Sequence, residues 1–135
     1  MSVEAVNFQG RIIVAVDDMF FAAKILGAAQ TIGRVVERAK SAEQINEALK
    51  KDRPALLIID LNSTQFNALE MITSIKSHAA YSTLPIIGFL SHVQVELKRG
   101  AEQAGCDFVM PRSAFAQALA EILSGRLPIT SAKPS

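Results

Sequence analysis

Three aspartates carry the chemistry that this sequence offers. Asp17 and Asp18 stand directly after the apolar run RIIVAV at 11–16, and Asp60 closes the hydrophobic stretch within ALLIIDL at 55–61. Carboxylates brought to one place repel each other unless a cation neutralises them or one keeps its proton. A hard divalent ion is the economical remedy: Mg²⁺ takes oxygen ligands at ~2.0–2.1 Å, usually one or two carboxylates, waters and a phosphate. Asp17, Asp18 and Asp60 suit that description, and the ion would be exchangeable. The simpler alternative is that aspartates at strand ends cap the helices that follow. Capping explains Asp17 or Asp18 singly but does not require Asp60.

The elements that must position these acids can be read from hydrophobic periodicity. Residues 11–16 are short, apolar and rich in β-branched side chains, as expected of a strand buried on both faces. From Met19 to Ile32 the apolar positions Phe21, Ile25, Ala28, Ala29 and Ile32 recur at helical spacing, with Gly33 as the stop. The alternation continues with a strand near Arg34–Glu37, a helix from about Ser41 with Ile45, Ala48 and Leu49 inward, and the strand at 55–61. A third helix at about 67–77 turns Leu69, Ile72 and Ile75 inward; the strand LPIIGFL at 84–90 follows, then a helix to Ala104, DFVM at 107–110 and a last helix at about 114–124. Strict alternation predicts an α/β, flavodoxin-like, doubly wound (βα)₅ domain whose five-stranded parallel sheet has the order 2-1-3-4-5. Ligands of such sheets bind outside the carboxyl ends of the strands where the order reverses, here between strands 1 and 3. The sequence puts Asp17, Asp18 and Asp60 at that crevice.

Composition narrows the function classes. With 50% hydrophobic and 20% charged residues in 135, the chain is long enough for one domain with a full core. We read 11–124 as that domain, 1–10 as an N-terminal extension and 125–135 as a C-terminal tail. A net charge of +1 without a Lys/Arg run advertises no DNA-binding or anionic-membrane surface. The longest mainly apolar stretch, Met19–Ala29, is interrupted by Lys24 and is too short to span a membrane. One cysteine and no basic-then-apolar start lead to the expectation of a cytoplasmic protein.

The pattern resembles the receiver domain of two-component response regulators, over about residues 11–124. The resemblance rests on the acidic pair after strand 1 (VDD, Val16 to Asp18) and the aspartate after strand 3 (IIDLN, Ile58 to Asn62). It implies that Asp60 is the phosphoacceptor, that Asp17 and Asp18 bind Mg²⁺ with Asp60, and that the backbone carbonyl of Asn62 completes the protein ligands. It also implies a histidine kinase or phosphotransfer protein as donor, a downstream protein as target, and a phosphoacceptor switch rather than an enzyme, acting as a monomer or weak dimer. A carboxylate nucleophile would take the phosphoryl group while a cation neutralises charge on the equatorial oxygens.

The residues that read out phosphorylation in the family are altered here. The usual Ser/Thr position at the end of strand 4 is Leu90, and Ser91 comes one place later, on the opposite face of a continuing strand. Ser91 either reaches the phosphoryl oxygens because the strand ends before it, or caps the next helix. At strand 5 the ungapped match puts Arg112 where the family has Lys, with Ser113 for its Pro, and keeps Ala116, Leu119, Ala120 and Leu123 on one helical face. Arg112 retains the charge, although a planar fork is not a compact ammonium. The usual aromatic position is Val109, and Phe108 is expected in the core. The loop LNSTQFNALE at 61–70 lacks the Pro-Gly turn common in receivers.

His92, beside Ser91, is expected to be a solvent-facing loop residue, His78 has no partner in view, and Cys106 reads as a small buried hydrophobe. The competing function is a phosphorylation-independent pseudo-receiver, a protein interaction module on the same fold. A haloacid-dehalogenase-like phosphatase is disfavoured because Asn62 stands where its second Asp is needed. A flavin site is disfavoured because Met19 and Phe20 replace a phosphate-binding loop.

Overall fold

The computed structural model describes residues 10–91 and 94–126. Its strands are β1 (Ile12–Ala15), β2 (Val36–Ala39), β3 (Leu56–Asp60), β4 (Ile86–Leu90) and β5 (Phe108–Pro111), all parallel, in the order β2-β1-β3-β4-β5. The helices are α1 (Met19–Thr31), α2 (Ala42–Lys51), α3 (Ala68–Ser77), α4 (Val95–Ala104), α5 (Arg112–Gln117) and α6 (Leu119–Leu123), with a 3₁₀ turn at Ala79–Tyr81. This is the doubly wound flavodoxin-like topology that the alternation predicts. None of the helices among the described residues is long and apolar enough to cross a membrane.

The middle of the sheet is buried on both sides because β1 and β4 are apolar throughout and β3 up to its terminal aspartate, and the two-residue period sorts their side chains into two cores. Ile12, Val14, Leu56, Ile58, Ile87 and Phe89 meet α1, α5 and α6. Ile13, Ala15, Leu57, Ile59 and Ile86 meet α2, α3 and α4. At Gly88 of β4 the space a side chain would take is filled by Leu61, whose Cδ2 would lie 2.9 Å from a Cβ. The residue after Asp60 is thereby seated on the sheet.

Several boundaries differ from the sequence reading. The second strand is Val36–Ala39, two residues later than expected, because Gly33 turns with φ +73° and Arg34 first bonds back to the Ala29 carbonyl. Ile32 is exposed rather than inward, since α1 ends at Thr31 and its backbone has left helical geometry. The last helix is two segments with a break at Ala118, whose N–H is shared between the carbonyls of Ala114 and Phe115. Its inward residues are Phe115, Leu119, Ile122 and Leu123, and Ala120 faces solvent. His78 does have partners: its Nδ1 accepts from the Ala80 N–H at 3.2 Å and its ring lies 5.0 Å from that of Tyr81. Cys106 is buried, as expected, and burial pushes its thiol up to about 12. His92 and residues 1–9 and 127–135, which make up nearly all of the two terminal segments, lie outside the described residues.

Candidate functional site

The site is assembled at the carboxyl ends of β1, β3 and β5. Asp60 is the last residue of β3, paired in register with Phe89 of β4, and among the described residues it is the one charged or polar residue that is buried. Its Oδ1 accepts the backbone N–H of Asn62 at 2.9 Å. Burial raises its carboxyl above the ordinary range; the Asn62 N–H and the Arg112 charge pull the other way, and Asp17 and Asp18 add to the rise.

Asp18 serves two masters. Its Oδ1 caps α1, accepting from the N–H groups of Phe20 at 3.0 Å and Phe21 at 3.1 Å, which is the capping role weighed for it from sequence. Its Oδ2 accepts from Arg112 Nη1 at 3.1 Å. The cap at Phe21 and the Arg112 bond hold its carboxyl below the usual range. Asp17 is turned differently: its carbonyl accepts from Arg38 Nη2 at 3.2 Å, while Arg38 Nε donates to the Val16 carbonyl at 3.0 Å. The Asp17 carboxylate makes no hydrogen bond or ion pair with a described residue.

Arg112, the first residue of α5, reaches back over this crevice. Its Nη2 lies 4.0 Å from Asp60 Oδ2, so one guanidinium faces both Asp18 and Asp60. Beneath it lies an aromatic shelf: the guanidinium carbon is 4.4 Å from the Phe21 ring centre and 5.5 Å from that of Phe89. Phe21, Phe89 and Phe115 pack together with centroids 5.1–5.9 Å apart. Arg112 Nε is buried and has no hydrogen-bond partner, alone in this among the side-chain polar atoms of the described residues.

The structure therefore brings Asp18, Asp60 and Arg112 together. No three His, Cys, Asp or Glu side chains among the described residues are placed to hold a metal ion jointly. As arranged, Asp18 Oδ2, an oxygen that a divalent ion would use, faces the Arg112 guanidinium.

Ser91 and Asn62 complete the rim. The strand ends at Leu90, which is buried and in register with Pro111, and Ser91 is exposed just beyond it. The Ser91 N–H donates to Asn62 Oδ1 at 2.7 Å, and Asn62 Nδ2 donates to Gln94 Oε1 at 3.0 Å. Asn62 thus ties the β3–α3 loop to the start of α4 through its side chain, a role that sequence reasoning, concerned with its carbonyl, did not find. Its place two residues after Asp60 is the one available signal. Helix α4 takes its N-cap from Gln94, not Ser91. Phe108 packs into the core with α1, and Val109 packs on the opposite face of the sheet.

No family model matches the sequence, and no curated protein does either. Solved structures do. The Vibrio cholerae chemotaxis protein CheY4 superposes with a TM-score of 0.77 at 18% identity, over 89% of this chain and 100% of that one. The fold is that of a receiver domain. The Mn²⁺-bound response regulator Rcp1 superposes with a TM-score of 0.76 at 12% identity, over 92% of this chain and 99% of that one. A CheY-like response regulator receiver domain protein of Methanospirillum hungatei JF-1 gives 0.72 at 18% identity, over 85% and 90% of the two chains. Identities this low carry the receiver fold and leave the roles of individual side chains to the geometry above.

Proposed function

We propose that this chain is a receiver of two-component signalling that takes a phosphoryl group on Asp60 and passes its signal on by protein–protein contact. The observation that carries this reading is Asp60 itself: a buried carboxylate at the end of a central strand, in the crevice where the strand order reverses, 4.0 Å from a guanidinium. In the transfer an Asp60 carboxylate oxygen forms a bond to phosphorus. The bond from phosphorus to the donor breaks, a histidine nitrogen of a kinase or phosphotransfer protein leaving with the electron pair. Arg112 neutralises charge on the transferred group, and the Asn62 N–H holds the acceptor carboxylate in place.

The response is carried by the groups that touch the crevice. A phosphoryl group on Asp60 competes with Asp18 for Arg112 and so acts on the first turn of α5, while Asn62 links the same residue to the β4–α4 loop. Intact-protein mass spectrometry after incubation with acetyl phosphate tests this. One phosphoryl increment on the natural chain that is lost in Asp60→Asn is expected. A folded natural chain that gains none, with or without Mg²⁺, overturns it.

A second reading is favoured by one observation: Leu90, at the position where receivers carry a switching hydroxyl, is buried in the core with α3 and α4. It makes the chain a constitutive interaction module, whose partner binding is unchanged by Asp60→Asn.

A further inference from the structure

The single guanidinium of the crevice decides what else can enter it. Both oxygens of Asp18 are engaged, Oδ1 with the first turn of α1 and Oδ2 with Arg112 Nη1 at 3.1 Å. The same guanidinium stands 4.0 Å from Asp60 Oδ2, so Asp18 and Asp60 already share one cation. Arg112 is not a wandering surface side chain. It lies over the Phe21 and Phe89 rings at 4.4 and 5.5 Å, and Phe89 is wholly buried. An aromatic face attracts a cation that is weakly hydrated, and guanidinium is the side-chain cation that best meets that condition. A divalent ion seated on Asp18 and Asp60 would put its charge against this guanidinium, at oxygens the arginine now uses.

We propose that Arg112 is the resident counter-cation of the acid crevice, and that a divalent metal ion binds there only by displacing the guanidinium from Asp18. This rests on the acceptor reading of Asp60 for the choice of ligand alone. It is tested by metal binding, so it fails or stands separately from phosphorylation. Displacement has a structural consequence: because Arg112 opens α5 directly after β5, its release frees the β5–α5 junction from the cap of α1.

The test is titration of the full chain with Mn²⁺, the free ion being read by electron paramagnetic resonance, beside titration with Mg²⁺ followed by the Arg112 Nε–H signal in NMR. Removing the competing charge with Arg112→Gln is expected to tighten Mn²⁺ binding by about tenfold or more. Adding Asp18→Asn to that variant is expected to abolish the gain. In the natural chain Mg²⁺ saturation is expected to shift the Nε–H resonance as the side chain leaves its shelf. Equal Mn²⁺ affinity in the natural chain and Arg112→Gln overturns the proposal, as does an Nε–H signal that stays fixed at saturation. Should Arg112→Gln fail to fold, Arg112→Lys and the natural-chain NMR titration decide. The lysine keeps the charge without the fork and is expected to give a smaller gain of the same sign.

Discussion

The two ends of the parallel sheet treat charge in opposite ways. At the amino ends of the strands, Arg11 pairs with Glu37 and with Asp52 at 2.9 Å each, donates to the Ala48 carbonyl at 2.9 Å, and Glu37 takes a second cation from Lys51 at 2.9 Å. Every carboxylate in that cluster has a direct partner. At the carboxyl ends, Asp18 and Asp60 face one arginine, and only Asp18 holds it in a hydrogen bond. A balanced cluster contributes to stability. An unbalanced one stores a demand for positive charge, or for a neutral Asp60, which an incoming group can satisfy.

The largest effect that would sharpen this contrast is expected at the balanced end. Arg11→Ala removes two ion pairs and hydrogen bonds to the carbonyls of Ala48 and Asp52 from a side chain that is only 15% exposed. A destabilisation of about 2 kcal/mol in denaturant unfolding follows.

At the unbalanced end Asp60→Asn is expected to stabilise the fold at pH 7, on the order of 1 kcal/mol, because it removes a buried charge while keeping the shape. The raised carboxyl sets the sign of its pH dependence. Below the ordinary aspartate range both folded and unfolded chains hold the proton, and the variant gains nothing. As pH rises the unfolded chain ionises first, and the advantage of the variant grows until Asp60 ionises in the folded chain too. Glu37 behaves oppositely: Lys51 and Arg11 hold its carboxyl low, so its contribution is full above the ordinary glutamate range and is lost as pH falls through its folded value. Unfolding curves of the natural chain and Asp60→Asn between neutral and acid pH check both signs; a variant that destabilises at pH 7 would break the comparison. The smallest effect is expected for Lys51→Ala, at most about 0.5 kcal/mol, since that side chain is 61% exposed and its ion pair is screened.

Much of this was legible in the sequence because the informative signals are local. A run such as ALLIIDL is readable as a doubly covered strand, and the aspartate at its end marks the mouth of the sheet. Ser41 and Asn67 cap α2 and α3 through their side chains, near where periodicity placed the starts. What was not legible depends on partners distant in sequence. Arg112 was recognised as a cation for the site, but its choice of Asp18, 94 residues away, depends on the shelf made by Phe21 and Phe89, which are ordinary core residues in the sequence. The side-chain work of Asn62 depends on Gln94, 32 residues away. The break at Ala118 was also missed, because alanine is a strong helix former and tertiary packing overrides such a preference.

Cys106 lies at the amino ends of β4 and β5, away from the acid crevice, and its burial has a chemical consequence. It is the one cysteine of the chain, buried, with its Sγ directed at the Phe108 carbonyl at 3.2 Å and its thiol kept protonated far above neutrality. Peroxide and disulfide exchange need a thiolate, and the folded chain withholds its own. Thiol chemistry at Cys106 is thus closed to the folded chain at neutral pH, and a mixed disulfide there would require the chain to open first.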